Sequence, residues 1–509
     1  MNHILSGKGL RILPNVILAG VLSLSVGACD TDKIVEVRDP AALRPEDLNN
    51  LGAVPQLVNG AFRQFVGGYS GFGGDAFLSA SAVLSDEFYY GDTFPTRSAA
   101  DKRTLQLPVL GNISDAAYSR LHQARFNARR AFGVVQEFST SQTAAADASA
   151  KAQLRTIEGY VYITLSEGWC GSVPFSRVAD TGPIDPGAIV FGTPLGTVAM
   201  NDTAITRFNE ALTLNPANLL AAAGKGRALL NAGRFAEAAA AVAIVPTTFV
   251  FLIEHSINAG DQNNPIFGLT DNGRYGVSNL EGGLSGTVAV RPDLATPGTA
   301  APSAEGLPFR GLRDPRVPWE ARGIPNGTCF TGQIRCWINL NYPNQDADVP
   351  LASGVEARLI EAEAALRAGQ TDVMLARLNT LRANTVSLIG RLYPGQKPGF
   401  VSTICGATPC ALPQLTDPAV AGTSAAEQAT ARRELLFRER ALWLFNTGHR
   451  LGDLRRLVRN YGLPSNQVFP SGPHFRGGNY GNDVAYPVPF AEAGNNPEYD
   501  PASCVLTRA

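Results

Sequence analysis

Two stretches of helix-forming text, each broken in the middle by glycine, constrain this chain more than any other feature. Residues 203–246 read AITRFNEALTLNP, NLLAAAGKGRALLNAG and RFAEAAAAVAIVP, with Gly233 at a turn. Residues 354–389 repeat the arrangement as VEARLIEAEAALRAG, a turn at Gly369-Gln370, and TDVMLARLNTLRAN. Small residues at Ala223, Gly226 and Ala238 let two antiparallel helices approach closely. A helix pair this short cannot bury its own apolar face, so such pairs must stack on neighbours. Three- and four-residue apolar steps place further helices from Tyr118 (Leu121, Arg125, Ala128, Phe132, Val135), and over about Asp147–Gly168 (Leu154, Ile157, Val161, Leu165). Others are expected from Pro45-Glu46-Asp47 towards Phe65, over Ala425–Phe445 and over Leu451–Tyr461, and Phe77–Leu84 is a second apolar stretch. Glu363 and Arg367, four apart with the acid first, are expected to pair on a helix surface.

The text between these blocks is different. Residues 247–350, 390–424 and 462–509 are rich in chain breakers, and the 509 residues include 52 glycines and 34 prolines. A pure helical bundle needs fewer. The reading is a mostly α protein with one domain over residues 45–509. Its helical scaffold covers 45–246 and 351–461, and the other three segments are long irregular insertions facing ligand. The helix pairs resemble tetratricopeptide units, loosely. Loops on a rigid scaffold usually hold the function.

The first 28 residues carry Lys8, Arg11, an apolar run from Ile12 to Val26 and no acid. A basic start before a short apolar run reads as an export signal, and the run is short for a membrane span. It closes at Val26-Gly27-Ala28-Cys29 and turns polar at Asp30-Thr31-Asp32. Small residues directly before a cysteine resemble the bacterial lipobox. Residues 1–28 are therefore expected to be a lipoprotein signal peptide, Cys29 the acylated anchor and residues 29–44 a tether. The other six cysteines fit an oxidising compartment. The expected local bridges are Cys329–Cys336 and Cys405–Cys410, which leaves Cys170 with Cys504. Zinc is the rival reading, but neither local pair has zinc-knuckle spacing and flanking histidines are absent.

Charge and motifs exclude more than they identify. Lys plus Arg number 43 and Asp plus Glu 44, so no basic excess calls for nucleic acid. GGYSGFGG lacks the last glycine of a nucleophile elbow, because position 72 is Phe. Gly71, Gly73 and Ala76 match a lax dinucleotide pattern without a βαβ context. Gly224-Lys225 lacks the Ser/Thr of a phosphate loop, and no histidines have H-E-x-x-H spacing. Asp346 and Asp348 offer calcium ligands, but the later acid of an EF-hand loop is missing. The expectation is a protein without enzymatic activity, resident metal or cofactor.

Aromatic residues are the remaining candidates. Trp443 and Trp169 belong to helix faces or ends and are expected in the core. Trp319, Trp337, Tyr342, Tyr69 and Phe72 sit in loop text, where flat rings stack on the C–H faces of sugars while polar neighbours bind hydroxyls. The bland counterpart is that these rings fill space beneath long loops.

Residues 431–457, ARRELLFRERALWLFNTGHRLGDLRRL, resemble the C-terminal signature of the SusD/RagB family, R-E-L-x-F-E followed by H-R-x-x-D-L-R-R. Arg433, Glu434, Leu435, Phe437 and Glu439 match the first part. His449, Arg450, Asp453, Leu454 and Arg455 match the second. LRTIEGYVYITLSEGWCGSVPF, LRDPR at Leu312–Arg316, RLIEAEAALRAG and YPVPFAEAGNNP at Tyr486–Pro497 resemble further family landmarks, in family order. Where the family usually has glycine after the F-E pair, this chain has Arg440. The resemblance implies a lipid-anchored, surface-exposed outer-membrane protein that captures oligosaccharide or peptide and delivers it to a SusC-like TonB-dependent barrel. Glu434, Glu439, His449, Arg450 and Asp453 read as a structural charge motif, with Arg450 and Asp453 paired across one turn and fixing the angle between the last two helices. The alternative is a tetratricopeptide-type lipoprotein scaffold that binds other envelope proteins.

Overall fold

The computed structural model describes residues 51–85, 87–105, 111–178, 188–279, 307–323 and 327–509. The signal, Cys29, the tether and the opening of the first helix lie outside the described residues. From Leu51 a short 3₁₀ turn leads into α1 (Val54–Tyr69), followed by α2 (Phe77–Leu84), β1 (Phe88–Tyr90) and α3 (Pro95–Asp101). Next come α4 (Asp115–Phe138), α5 (Ala144–Gly168), β2 (Arg177–Val178), β3 (Ile189–Val190), α6 (Thr197–Leu214), α7 (Leu219–Asn231) and α8 (Phe235–Val242). The first long insertion holds β4 (Val250–Ile253), α9 (Pro265–Asp271), β5 (Tyr275–Val277), β6 (Trp319–Ala321), β7 (Trp337–Asn339) and β8 (Val349–Ser353). The chain closes with α10 (Gly354–Arg367), α11 (Thr371–Ala383), α12 (Thr385–Leu392), α13 (Ala425–Trp443), α14 (Arg450–Tyr461), α15 (Ser465–Val468) and α16 (Phe490–Asn495).

The long helices stack as a solenoid does. α1 packs on α4, α4 on α5, α5 on α6, α6 on α7, α7 on α8, α8 on α10 and α10 on α11. Both helix pairs form where the sequence places them. Gly233 and Gly369 take left-handed φ values of +77° and +71°, which stop one helix and let the next turn back. Close approach also depends on glycine: a Cβ on Gly226 would stand 2.2 Å from Val242 Cγ1, and one on Gly224 2.4 Å from the Phe208 ring. α13 opens on a capping box, in which Ser424 accepts from Glu427 N–H while the Glu427 carboxylate accepts from Ser424 N–H. α5 is the central helix, buried continuously from Thr156 to Gly168.

The sequence landmarks converge inside this scaffold as a lattice of buried charges. Arg440 donates to Asp453 through two bonds of 2.8 Å, and Arg456 bridges Glu363 (2.8 Å) and Asp453 (2.9 Å). Arg316 of the D-P-R text joins Asp314 (2.7 Å) to Glu439 (2.6 Å), and Arg382 donates to Glu439 at 2.7 Å. Arg227 pairs with Glu167 at 2.5 Å, and His449 lies 3.0 Å from Arg227 and 3.1 Å from Glu356. Arg455 donates to the carbonyls of Ser166, Glu167 and Trp169, each at 2.9 Å, so a buried cation closes the C-terminus of α5. Breaking such a lattice costs far more than forming it gains, because a lone charge is left in low dielectric.

Two expectations change here. Glu363 faces inward to Arg456 and Arg440 instead of pairing with Arg367, whose guanidinium covers Phe235 and Tyr461. Buried arginines compete better for the carboxylate than a solvated one. Asp453 is held by Arg440 and Arg456, Arg450 is buried at the start of α14, and Glu434 is exposed on α13. The substitution of Arg440 for glycine is thus matched by its acidic partners.

Four two-stranded antiparallel sheets occupy the insertions: β1–β5, β2–β3, β4–β8 and β6–β7. The closing Y-P-V-P text returns to α5, with Cys170 N–H donating to the Tyr486 carbonyl and Tyr486 N–H to that of Gly168 (2.9 and 2.8 Å). Sulfur pairs join Cys170–Cys504, Cys329–Cys336 and Cys405–Cys410. Trp169 and Trp443 are core residues.

Candidate functional site

The β6–β7 hairpin brings together both tryptophans that do not disappear into the core. Register pairs Trp319 with Asn339 and Ala321 with Trp337, so both tryptophans project from one face of the hairpin. Their rings meet edge-on with centroids 5.1 Å apart, and Trp319 lies 5.2 Å from Phe400. Arg310 covers Trp337 at 4.8 Å, and Arg313 covers Phe400 at 5.3 Å. Both tryptophans are half-buried, leaving part of each ring open to solvent.

The loop joining the two strands carries a second array. The Cys329–Cys336 pair closes the loop. Phe330 N–H donates to the Gly273 carbonyl (2.9 Å) and Thr331 N–H to that of Gly91 (3.2 Å), fastening the tip to the β1–β5 sheet. Phe330 on this well-tied tip is 55 % exposed, and Phe94, just before α3, is 51 % exposed. Arg274 stands between them, 4.9 Å from the Phe330 centroid and 5.5 Å from that of Phe94. Its guanidinium pairs with Asp92, which is fully buried and also accepts from Thr93 N–H at 2.7 Å. Arg97 is fixed by Asp75 at 2.8 Å, and Tyr275 donates its hydroxyl to the same carboxylate (2.8 Å). Phe94 N–H donates to the Tyr90 hydroxyl. The Tyr90 phenol is pushed well above its usual range, first by burial and then by Asp92. Such support holds the rings in place before any ligand arrives.

Of the five aromatic candidates, then, the structure joins Trp319 and Trp337 and leaves three elsewhere. Tyr69 is a correction: it is the last residue of α1, fully buried, and its hydroxyl donates to the Thr447 carbonyl at 2.7 Å. Tyr342 is another, fully buried against Tyr393 with its hydroxyl on the Asn446 carbonyl at 2.8 Å. Each ring fills space beneath loops and presents nothing to a ligand. Phe72 lies in the break after α1, sandwiched between Arg63 and Arg120 at 4.5 Å each, apart from the tryptophan cluster. Asp348 accepts the His255 N–H at 3.1 Å, Asp346 is exposed, and no group of three potential metal ligands gathers among the described residues.

Phe94 and Phe330 are the residues that sequence reasoning missed. A lone phenylalanine in loop text carries no sign of its exposure; the nearest signal was Phe330 inside the CFTGQIRC loop. Stacking faces flanked by fixed guanidinium groups equip this surface to bind.

The molecule is therefore a helical-repeat scaffold presenting an array of aromatic rings on one disulfide-closed hairpin. Its fold is that of SusD-like proteins. It resembles a SusD/RagB family protein from Bacteroides thetaiotaomicron at a TM-score of 0.57 and 13 % identity, over 88 % of this chain and 96 % of that one. A SusD-like carbohydrate-binding protein from Bacteroides vulgatus aligns at 0.52 and 16 % identity, over 84 % and 86 %. A laminarin-binding SusD-like protein aligns at 0.53 and 16 % identity, over 88 % and 100 %. No protein-family model matches the sequence, and no curated protein matches it either. No helix among the described residues is long and apolar enough to cross a membrane.

Proposed function

We propose that this protein is a nutrient-binding lipoprotein of the outer membrane. In this reading it captures oligosaccharide on the β6–β7 hairpin and delivers it, chemically unchanged, to a SusC-like TonB-dependent barrel. The observation that carries the proposal is the hairpin itself: half-buried Trp319 and Trp337 at its base, exposed Phe330 at its tip, and Phe94 and Arg274 beside the tip. The ligand class is supported by carbohydrate binding in proteins of the same fold, two of which carry it in their names. Anchoring is supported by the apolar run that ends at Cys29. Durable attachment takes more than one acyl chain, as lipoprotein processing supplies. A tethered carrier needs only moderate affinity, since the tether keeps it near the barrel and tight binding slows release.

Purification from detergent-solubilised outer membrane tests the whole proposal. The expected result is co-elution with a large β-barrel, an acylated Cys29 by mass spectrometry, and retardation of the protein in native gels containing the right polysaccharide. An unmodified Cys29 together with no barrel and no retardation in any gel contradicts it.

A further inference from the structure

We infer that the glycan bound at the hairpin carries an acidic group, a carboxylate or sulfate on the sugar ring, and that Arg313 receives it. This rests on the glycan-binding reading above and narrows it to a substrate class. Arg313 ends a run of touching side chains: its guanidinium covers Phe400 at 5.3 Å, Phe400 lies tilted 5.2 Å from Trp319, and Trp319 meets Trp337 edge-on at 5.1 Å. A sugar resting on these rings places its substituents next to that cation.

Several arginines near Arg313 are compensated by carboxylates. Arg316 is held by Asp314 and Glu439, Arg382 by Glu439, Arg274 by Asp92, and Arg97 by Asp75 and Asp92. No carboxylate pairs with Arg313 among the described residues, and its buried Nε has no acceptor. Asp314, adjacent in the chain, is engaged by Arg316 through its backbone N–H, Nε and Nη2. Glu320 follows Trp319 on β6 and so projects from the opposite face of the strand.

The backbone supplies a second observation. Arg313 has φ +46°, in the left-handed region that non-glycine residues rarely adopt. If the turn alone mattered, glycine would serve better. The Arg313 carbonyl accepts the Ser402 hydroxyl at 2.8 Å, tying the turn to the segment that carries Phe400. A left-handed turn, a guanidinium over a ring and no carboxylate partner among the described residues together describe a receptor for an oxyanion, which arginine grips through two parallel N–H donors.

The test is calorimetry on the mature protein with three oligosaccharides of equal length: an oligogalacturonate, a sulfated galactan fragment and a neutral glucan. Parent, Arg313→Gln and Arg313→Gly are compared at low and high salt. The parent should bind one acidic ligand at least about tenfold more tightly than the neutral one, an advantage that salt reduces. Which acidic ligand wins separates carboxylate from sulfate. Arg313→Gln should erase that advantage. Arg313→Gly should erase it too, while raising the melting temperature because the turn is relieved. Equal binding of neutral and acidic glycans, unchanged in Arg313→Gln, overturns the inference and leaves glycan binding standing. Failure of all three to bind removes the glycan-binding reading, and this inference with it.

Discussion

Asp453 shows how much of the scaffold rests on single side chains. Burial alone would raise its carboxyl pKa, but Arg440 and Arg456 override that and hold it well below the ordinary carboxylate range. Its charge is therefore a source of stability above about pH 4, lost as pH falls below that value. Asp453→Ala leaves two buried guanidinium groups sharing Glu363. The expected loss is about 3–5 kcal/mol, read from the denaturant midpoint at neutral pH. His122 acts at milder pH. Burial, then Arg125, holds its imidazole neutral with a pKa well below the usual value. Its folded form binds fewer protons than its unfolded form, so stability is complete above about pH 6.5 and declines below it. His122→Phe, packed between Tyr118 and Phe175, should flatten stability against pH over this range by up to about 1.4 kcal/mol per pH unit. His255, also shifted down by burial, keeps some slope. An unchanged slope in His122→Phe contradicts the assignment.

Among the elements, helices were far more legible than the hairpin. Periodicity reports which residues must leave water, so α4, α5, α7, α10 and α14 were readable to within a few residues. The same principle says where Gly226 belongs: Gly226→Ala improves helix propensity by about 1 kcal/mol yet forces a methyl into Val242. Overpacking should win, with net destabilisation of about 1–2 kcal/mol by thermal or chemical denaturation. A more stable variant means that the α7–α8 contact is looser than described. The proposed binding surface was only half readable. Trp319 and Trp337 were found by residue type, whereas Tyr69 and Tyr342 looked equivalent and are core. What separates them is which side of a loop faces solvent. That depends on contacts such as Phe330 to Gly273, distant in the chain and carrying no period. The charge lattice was readable as motif text but not as pairing: Glu363 had a good local partner in Arg367 and took distant ones.

Taken as one molecule, the chain devotes its buried charges to rigidity, while the β6–β7 hairpin holds half-buried Trp319 and Trp337 and exposed Phe330. Landmarks scattered from residue 167 to residue 456 meet in the lattice, which holds α5, α7, α10, α13 and α14 in fixed relation. A frame held in this way can present a preorganised surface and lose little entropy on binding. Binding without reaction is the central claim. Isothermal titration of the parent, Trp337→Ala and Phe330→Ala with an oligosaccharide that retards the protein in native gels, followed by mass analysis of the recovered sugar, tests it most directly. The account predicts affinity at least about tenfold weaker in each variant, at unchanged melting temperature for Phe330→Ala, and sugar recovered intact. Full affinity in both variants, or a shortened sugar, would contradict it.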